Sequence, residues 1–178
     1  MRRIIVTGLL IFICYLLQSS VLRFFAFGGI IPNLLIILTA SSGFMRGEKA
    51  GIWTGFLCGF LVDLFSVYGN QAITGDFLGF YALLYMLIGY INGKCNSLFF
   101  PEDIKLPLIM ILTSDIALNV VCYIIMFLMR ARLNLQYYML HIILPEAVYT
   151  ILIAFAVYPL FLWINKKLEL AERGSDEY

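Results

Sequence analysis

Charged residues are scarce in this sequence. Asp, Glu, Lys and Arg together make up 13% of the 178 residues, about half the share that soluble domains carry. Hydrophobic residues make up 62%, and apolar runs long enough to cross a bilayer recur along the chain. With a net charge of only +1, nothing in the composition suggests an acidic partner or nucleic acid. These features predict an all-α integral membrane protein with almost no mass outside the lipid.

Residue types used in catalysis and metal binding are also few. The chain has a single histidine, His141, and four scattered cysteines, three of which lie in apolar runs where they act as small hydrophobes. We expect free thiols, with no disulfide framework, metal site or cofactor. The sequence has no H-E-x-x-H, G-x-S-x-G or P-loop motif, and no spacing that suggests a triad around His141. We therefore predict that the protein is not an enzyme.

The apolar runs predict a six-helix transmembrane bundle in one membrane domain, residues 1–164, followed by a short polar tail, residues 165–178. The N-terminus resembles a signal peptide, but no cleavage site follows it, so we expect an uncleaved first span. The second and fourth spans are short for a crossing of roughly 20 residues. Pro145 and Pro159 fall inside the sixth. The expected spans are residues 4–27, 33–45, 50–67, 77–91, 106–129 and 138–164.

The lysines and arginines predict the orientation, because they are enriched in cytoplasmic segments. The predicted spans place nine of them on one side of the membrane and three on the other, so both termini are expected in the cytoplasm. The nine are Arg2, Arg3, Arg46, Lys49, Lys94, Lys105, Lys166, Lys167 and Arg173, and the three are Arg23, Arg130 and Arg132.

Small residues form a stripe on the third span. Gly51, Gly55 and Gly59 recur every fourth residue, and Asp63 continues the same helix face. Small residues at this spacing allow a neighbouring helix to approach closely within a membrane. The stripe therefore predicts a tight helix contact, either inside the chain or with the span of a partner. Asp63 is expected to face another helix, or to reach the interface beside a polar loop.

Acidic and polar residues within the spans need partners, because charges are costly in lipid. Asp115 and Asn119 lie one turn apart on the fifth span and are expected to form an intramembrane polar pair. Asp115 is either neutral or hydrogen-bonded across helices. We also predict a polar cluster at the outer end of the bundle, in which Asp63 and Glu146 pair with one or more arginines. Its members are Arg23, Asn33, Asp63, Arg130, Arg132 and Glu146.

Several of these segments, taken in order, resemble a known family. The series is LQSSVL, IPNLLIIL, MRGEKAG, GFLCGFLVDLFS and LGFYALLYMLIGYING, which covers residues 16–93. It includes Pro32-Asn33, Arg46-Gly47, the glycine stripe ending in Asp63-Leu64, and Leu78-Gly79-x-Tyr81-Ala82-Leu83. In this order the segments resemble MreD, the rod shape-determining membrane protein of bacteria. The stretch VYGNQAITGD replaces the glycine-rich turn that the family usually has after the aspartate.

The resemblance implies a non-enzymatic scaffold in the bacterial cytoplasmic membrane. Members of the family act beside MreC, a single-span protein with an extracytoplasmic coiled coil and a β-rich domain. The complex also includes the MreB filament, a SEDS-type lipid-II polymerase and a class B penicillin-binding transpeptidase. The glycine stripe would then receive the MreC span or pack the bundle itself, and membrane lipids would surround the rest.

Two other functions fit six short-looped helices. The bundle also resembles the substrate-capture subunits of energy-coupling-factor vitamin transporters, which hold a small ligand in the outer half. Such subunits dock through an alanine-rich face of the first span, whereas here that span offers Thr7 and Gly8. A lipid-handling protein is the third possibility, because a groove lined by glycine also admits an acyl chain.

Overall fold

The computed structural model describes residues 2–24, 31–68, 79–98, 105–130 and 143–173, and within them every regular element is helical. In these residues three short elements accompany six longer helices, which are numbered here in chain order. The longer ones are α1 (Arg2–Leu16), α2 (Leu34–Arg46), α3 (Glu48–Tyr68), α4 (Phe80–Lys94), α5 (Lys105–Arg130) and α6 (Leu144–Arg173). A π-helical turn (Leu17–Val21) and a final α-turn (Leu22–Phe24) extend α1, and a 3-10 turn (Cys95–Leu98) follows α4.

The all-α class predicted from composition is confirmed. Three stretches in the described parts of the chain are long and apolar enough to cross a membrane: Ile4–Val21, Lys105–Ile125 and Leu144–Leu168. The helix α2 is apolar but shorter. At 1.5 Å per residue its 13 residues extend about 20 Å, well below the roughly 30 Å of a hydrocarbon core.

The last helix differs from the predicted sixth span. It begins at Leu144, so Pro145 lies in its first turn, where a missing N–H costs no hydrogen bond. It then continues through Pro159 to Arg173, past the predicted end at residue 164. The helix continues into the predicted polar tail because this segment is rich in Lys, Leu, Glu and Ala, which are good helix formers. The predicted residues 138–142 lie outside the described part of the chain.

The helix α2 is the centre of the bundle. Every residue from Leu34 to Phe44 is buried, and α2 contacts each of the other five longer helices. A helix that is buried on all sides needs apolar or small side chains all round, which its sequence LLIILTASSGF supplies. The surrounding helices thus shelter a helix that is too short to cross the membrane alone.

One end of the bundle is marked by Arg46, the last residue of α2. Its Nε donates to Oδ1 of Asn165 on α6 at 2.6 Å, and its Nη1 donates to Oγ1 of Thr7 on α1 at 2.9 Å. Beside it, Nδ2 of Asn96 donates to the backbone carbonyl of Phe44 at 2.6 Å. The start of α1 and the end of α6 therefore meet at this end, which we call the Arg46 end.

The opposite end is marked by Asp63, near the end of α3, which contacts the start of α4. At this end the start of α2 also meets α6, where the backbone N–H of Asn33 donates to Oγ1 of Thr150 at 3.4 Å. Successive helices from α1 to α4 therefore run in opposite directions between this Asp63 end and the Arg46 end.

Candidate functional site

The glycine stripe of α3 lies against α4 of the same chain. A Cβ added to Gly51 would collide with the backbone of Gly89, and one added to Gly55 would lie 2.7 Å from the carbonyl carbon of Tyr85. At Gly59 an added Cβ would collide with the backbone of Tyr81. The two backbones touch along the whole stripe, and this contact leaves no room for a side chain larger than hydrogen.

The close contact extends to α2 through two more glycines. A Cβ on Gly43 would lie 2.7 Å from the carbonyl oxygen of Gly89, and one on Gly93 would collide with Glu48 at the start of α3. Three helices therefore meet through glycine. The sequence left open whether the stripe packs inside the chain or against the span of a partner. In the structure α4 of the same chain packs on the stripe, and no space remains there for a partner span.

Asp63 caps α4 from the neighbouring helix. Its Oδ2 accepts from the backbone N–H groups of Gly79 at 3.1 Å and Ala82 at 2.9 Å, and its Oδ1 accepts from that of Tyr81 at 3.1 Å. Gly79 has φ +106°, a conformation that suits glycine and aims its N–H at the carboxylate. The first N–H groups of a helix lack internal partners and carry partial positive charge, so a buried carboxylate is stabilised there.

This capping role differs from the arginine pairing predicted for Asp63. The partners that the structure gives its carboxylate are backbone amides. The arginine pairing stays untested, because the side chains of Arg23 and Arg130 and the whole of Arg132 lie outside the described residues, as does His141.

Asn33 and Gln18 cap the central helix. Oδ1 of Asn33 accepts from the N–H of Ile36 at 3.2 Å and from the Tyr85 hydroxyl at 2.9 Å. Oε1 of Gln18, in the π-helical turn after α1, accepts from the N–H of Leu35 at 3.2 Å. These contacts pair N–H groups that would otherwise be unsatisfied in the buried start of α2.

Asp115 and Asn119 of α5 face α6. Nδ2 of Asn119 donates to the backbone carbonyl of Asp115 at 3.1 Å, so the predicted pair is joined through main chain and not through its two side chains. The Asp115 carboxyl faces Thr150, while Glu146 lies beside Asn119 and near Asp115. The structure therefore brings Glu146 to Asp115, a proximity that the sequence did not predict. We call Asp115, Asn119, Glu146 and Thr150 the α5–α6 polar cluster.

Two links between helices were missed by sequence reasoning. The sequence analysis named Arg46 only in a motif and in the orientation count, yet its guanidinium group joins three helices. Asn92 of α4 was not singled out, although its Nδ2 donates to Oγ of Ser114 on α5 at 2.8 Å and to the carbonyl of Ile88 at 2.8 Å. A polar residue inside an apolar run was the available signal for Asn92. Arg46 stands at the end of such a run, where a basic residue is ordinary, so it gave no comparable signal.

An open groove of about 530 Å³ lies between α1 and α3. Small side chains are prominent on its walls, and its basic residues lie near the Arg46 end. A Cβ added to Gly8 would meet nothing within 4 Å, so this part of α1 is uncovered. The residues that line the groove are Ile4, Thr7, Gly8, Arg46, Lys49, Ala50, Trp53, Thr54 and Leu57.

Neither a metal cluster nor a disulfide occurs in what the structure describes. No group of three His, Cys, Asp or Glu side chains is close enough to hold a metal among the described residues. The four cysteines are free thiols, and Cys14, Cys58 and Cys122 are buried while Cys95 is partly exposed.

Comparison with known proteins identifies a family. The family model described as rod shape-determining protein MreD matches residues 1–168, nearly the whole chain. This extends well beyond the resemblance seen in residues 16–93 and confirms it. No curated protein and no solved structure matches the chain.

Proposed function

Because the chain belongs to the MreD family of rod shape-determining proteins, we propose that it is a non-enzymatic scaffold of the cell-elongation complex. In this proposal it binds an MreC-like single-span protein in the bacterial cytoplasmic membrane. Through that protein it helps to organise peptidoglycan synthesis by an MreB-like filament, a SEDS polymerase and a class B transpeptidase. The family itself is a shape-determining one and not an enzyme family.

The observation that carries the proposal is the open groove between α1 and α3. The glycine stripe is already occupied by α4, so a partner span needs another surface with small residues. Thr7 and Gly8 on one wall and Ala50 and Thr54 on the other provide it. Association of helices in lipid depends on such close packing, because lipid itself is as apolar as the side chains.

The charges at the Arg46 end fit an orientation in which this end faces the cytoplasm. Lys49 is exposed at the Arg46 end, and Lys94 and Lys167 lie beside Tyr90 and Trp163, with 4.9 and 4.0 Å from Nζ to the ring centroid. Basic residues beside aromatic ones are typical of a cytoplasmic membrane interface. We propose that the Arg46 end faces the cytoplasm, that six helices lie in the membrane, and that both termini are cytoplasmic.

The test is a mild-detergent pull-down of the tagged chain from its own membranes, with partners identified by mass spectrometry. The unaltered chain and Gly8→Ala should recover a single-span coiled-coil protein together with cell-wall synthases. Gly8→Leu should lose that protein, because its side chain fills the groove without touching the bundle core. Recovery of a transmembrane coupling protein with paired ATPases would instead support a vitamin-capture subunit and contradict the scaffold.

A further inference from the structure

The groove between α1 and α3 changes in chemical character along its length. On α3 its wall includes a row of side chains four residues apart, Lys49, Trp53 and Leu57. Residues at this spacing lie one above the other on a helix, so at 1.5 Å per residue the row is about 12 Å long. It leads from a charge near the Arg46 end, past an aromatic ring, to an aliphatic side chain nearer the Asp63 end.

The walls of the groove are apolar and open to the surroundings of the protein. The side chains of Ile4, Trp53 and Leu57 are all exposed, although Ile4 lies on a helix long and apolar enough to cross a membrane. Between the walls, Gly8 and Ala50 leave space, about 530 Å³ in the groove as a whole. Pockets that hold small organic ligands measure roughly 300–1,000 Å³, so the groove has room for part of a lipid molecule.

Positive charge is concentrated at one end of the groove. Lys49 is exposed there, and Arg46, whose guanidinium group stays charged at physiological pH, lines the same end. No acid is among the described residues that line the groove. Glu48, the acid next to Lys49 in sequence, packs its backbone against Gly93 of α4. The groove therefore joins a positively charged end to an apolar channel, which is complementary to a molecule with a negative headgroup and an apolar chain.

We propose that the groove binds an anionic phospholipid of the membrane. The phosphate lies beside Lys49 and Arg46, the glycerol region beside Trp53, and the upper part of an acyl chain along Leu57 and Ile4. Tryptophan is typical of the headgroup level of a membrane, and basic pockets between membrane helices on the cytoplasmic side bind anionic headgroups. The lipid occupies the groove while no partner span is there and leaves when the span enters, an exchange that rests on the proposed function.

The charges favour an anionic headgroup over a zwitterionic one. A zwitterionic headgroup brings its own cation to Lys49 and Arg46, whereas an anionic headgroup brings only the negative phosphate. A Lys or Arg near the membrane surface strengthens the attraction of anionic lipid by a factor of about five. We therefore expect the groove to select anionic over zwitterionic phospholipid by at least about fivefold.

The test is quenching of Trp53 fluorescence by brominated lipids. The full-length protein is placed, without a partner, in vesicles of dioleoylphosphatidylcholine, and Trp163→Phe leaves Trp53 as its only tryptophan. We expect dibrominated phosphatidylglycerol to compete for the groove about fivefold better than dibrominated phosphatidylcholine. Lys49→Gln should remove most of this preference, whereas Lys49→Arg, which keeps the charge, should retain it.

Trp163 provides the matched control. It also lies beside a lysine, with 4.0 Å from Nζ of Lys167 to its ring centroid, but it does not line the groove. In Trp53→Phe the remaining Trp163 reports the general accumulation of anionic lipid at a basic surface, and we expect a weaker preference there. Lys49, Trp53 and Trp163 are all exposed, so none of these substitutions removes a buried side chain.

Equal quenching of Trp53 by the two brominated lipids would overturn the proposal. A preference that is the same at Trp53 and Trp163, or that survives in Lys49→Gln, would overturn it as well. Because the vesicles contain no partner protein, a negative result would leave the proposed contact with a partner span standing. Loss of that contact in cells would, in turn, leave a selective lipid site in the vesicles unaffected.

Discussion

The backbone N–H of Ala82 donates to Oδ2 of Asp63 at 2.9 Å, across nineteen positions of sequence. This contact ties the end of α3 to the start of α4, and the glycines then hold the two backbones together as far as Gly93. With one face fixed in this way, α3 presents its other face to α1, where the groove is open. The glycines that the sequence offered for a partner therefore pack α3 against α4, and the surface that we propose for a partner lies on the other side of α3.

Replacing Asp63 should destabilise the protein through α4. Asp63→Ala removes the acceptor of three backbone N–H groups and should cost about 2 kcal/mol, seen as a lower thermal unfolding midpoint in detergent. Asp63→Asn keeps one acceptor oxygen, so its unfolding midpoint should fall between those of the unaltered protein and Asp63→Ala. Glu48→Gln removes an exposed charge from the same helix and serves as the control. Equal midpoints for Asp63→Ala and this control would contradict the capping role.

The glycine stripe predicts opposite effects for two similar substitutions. Gly55→Ala should lower stability by about 1–3 kcal/mol, because the added methyl group meets the Tyr85 backbone, which cannot move aside. Gly8→Ala has nothing within 4 Å and should leave stability unchanged or raise it by less than about 1 kcal/mol through helix propensity. Unfolding of both purified variants in one detergent measures the difference. If Gly55→Ala proved as stable as Gly8→Ala, the α3–α4 contact would be looser than described.

How much the sequence could predict depends on whether a residue acts within its own helix or between helices. The stripe of Gly51, Gly55 and Gly59 and the all-α class follow from periodicity and composition. The cap on α4 did not follow, because the partners of Asp63 come after the atypical stretch VYGNQAITGD. The approach of Glu146 to Asp115 depends on how α5 and α6 are rotated, and hydropathy does not define that rotation.

Arg46 should not be replaceable by lysine. Its planar fork reaches Thr7 and Asn165 at once, whereas a lysine has a single ammonium group on a flexible stem. We expect Arg46→Lys to lower the free energy of unfolding by about 1 kcal/mol, the usual net value of one hydrogen bond. Lys49→Arg, at an exposed neighbouring position, is the matched control and should change nothing. The bridging role would be refuted if Arg46→Lys unfolded at the same midpoint as that control.

Cys95 reports the orientation of the unaltered protein. It is partly exposed after α4, while Cys14, Cys58 and Cys122 are buried. A membrane-impermeant maleimide should label the protein in everted vesicles and not in intact cells, because the Arg46 end faces the cytoplasm in our proposal. Cys95→Ser should remove the labelling. Labelling in intact cells would reverse the proposed orientation.

We propose that the groove between α1 and α3 receives the span of an MreC-like partner. Site-specific photocrosslinking in living cells tests it, with p-benzoylphenylalanine at Leu57 in the groove and, as control, at Leu83 on the exposed face of α4. We expect an adduct with the single-span coiled-coil protein from Leu57 and none from Leu83. An adduct with that protein from Leu83 and none from Leu57 would contradict it.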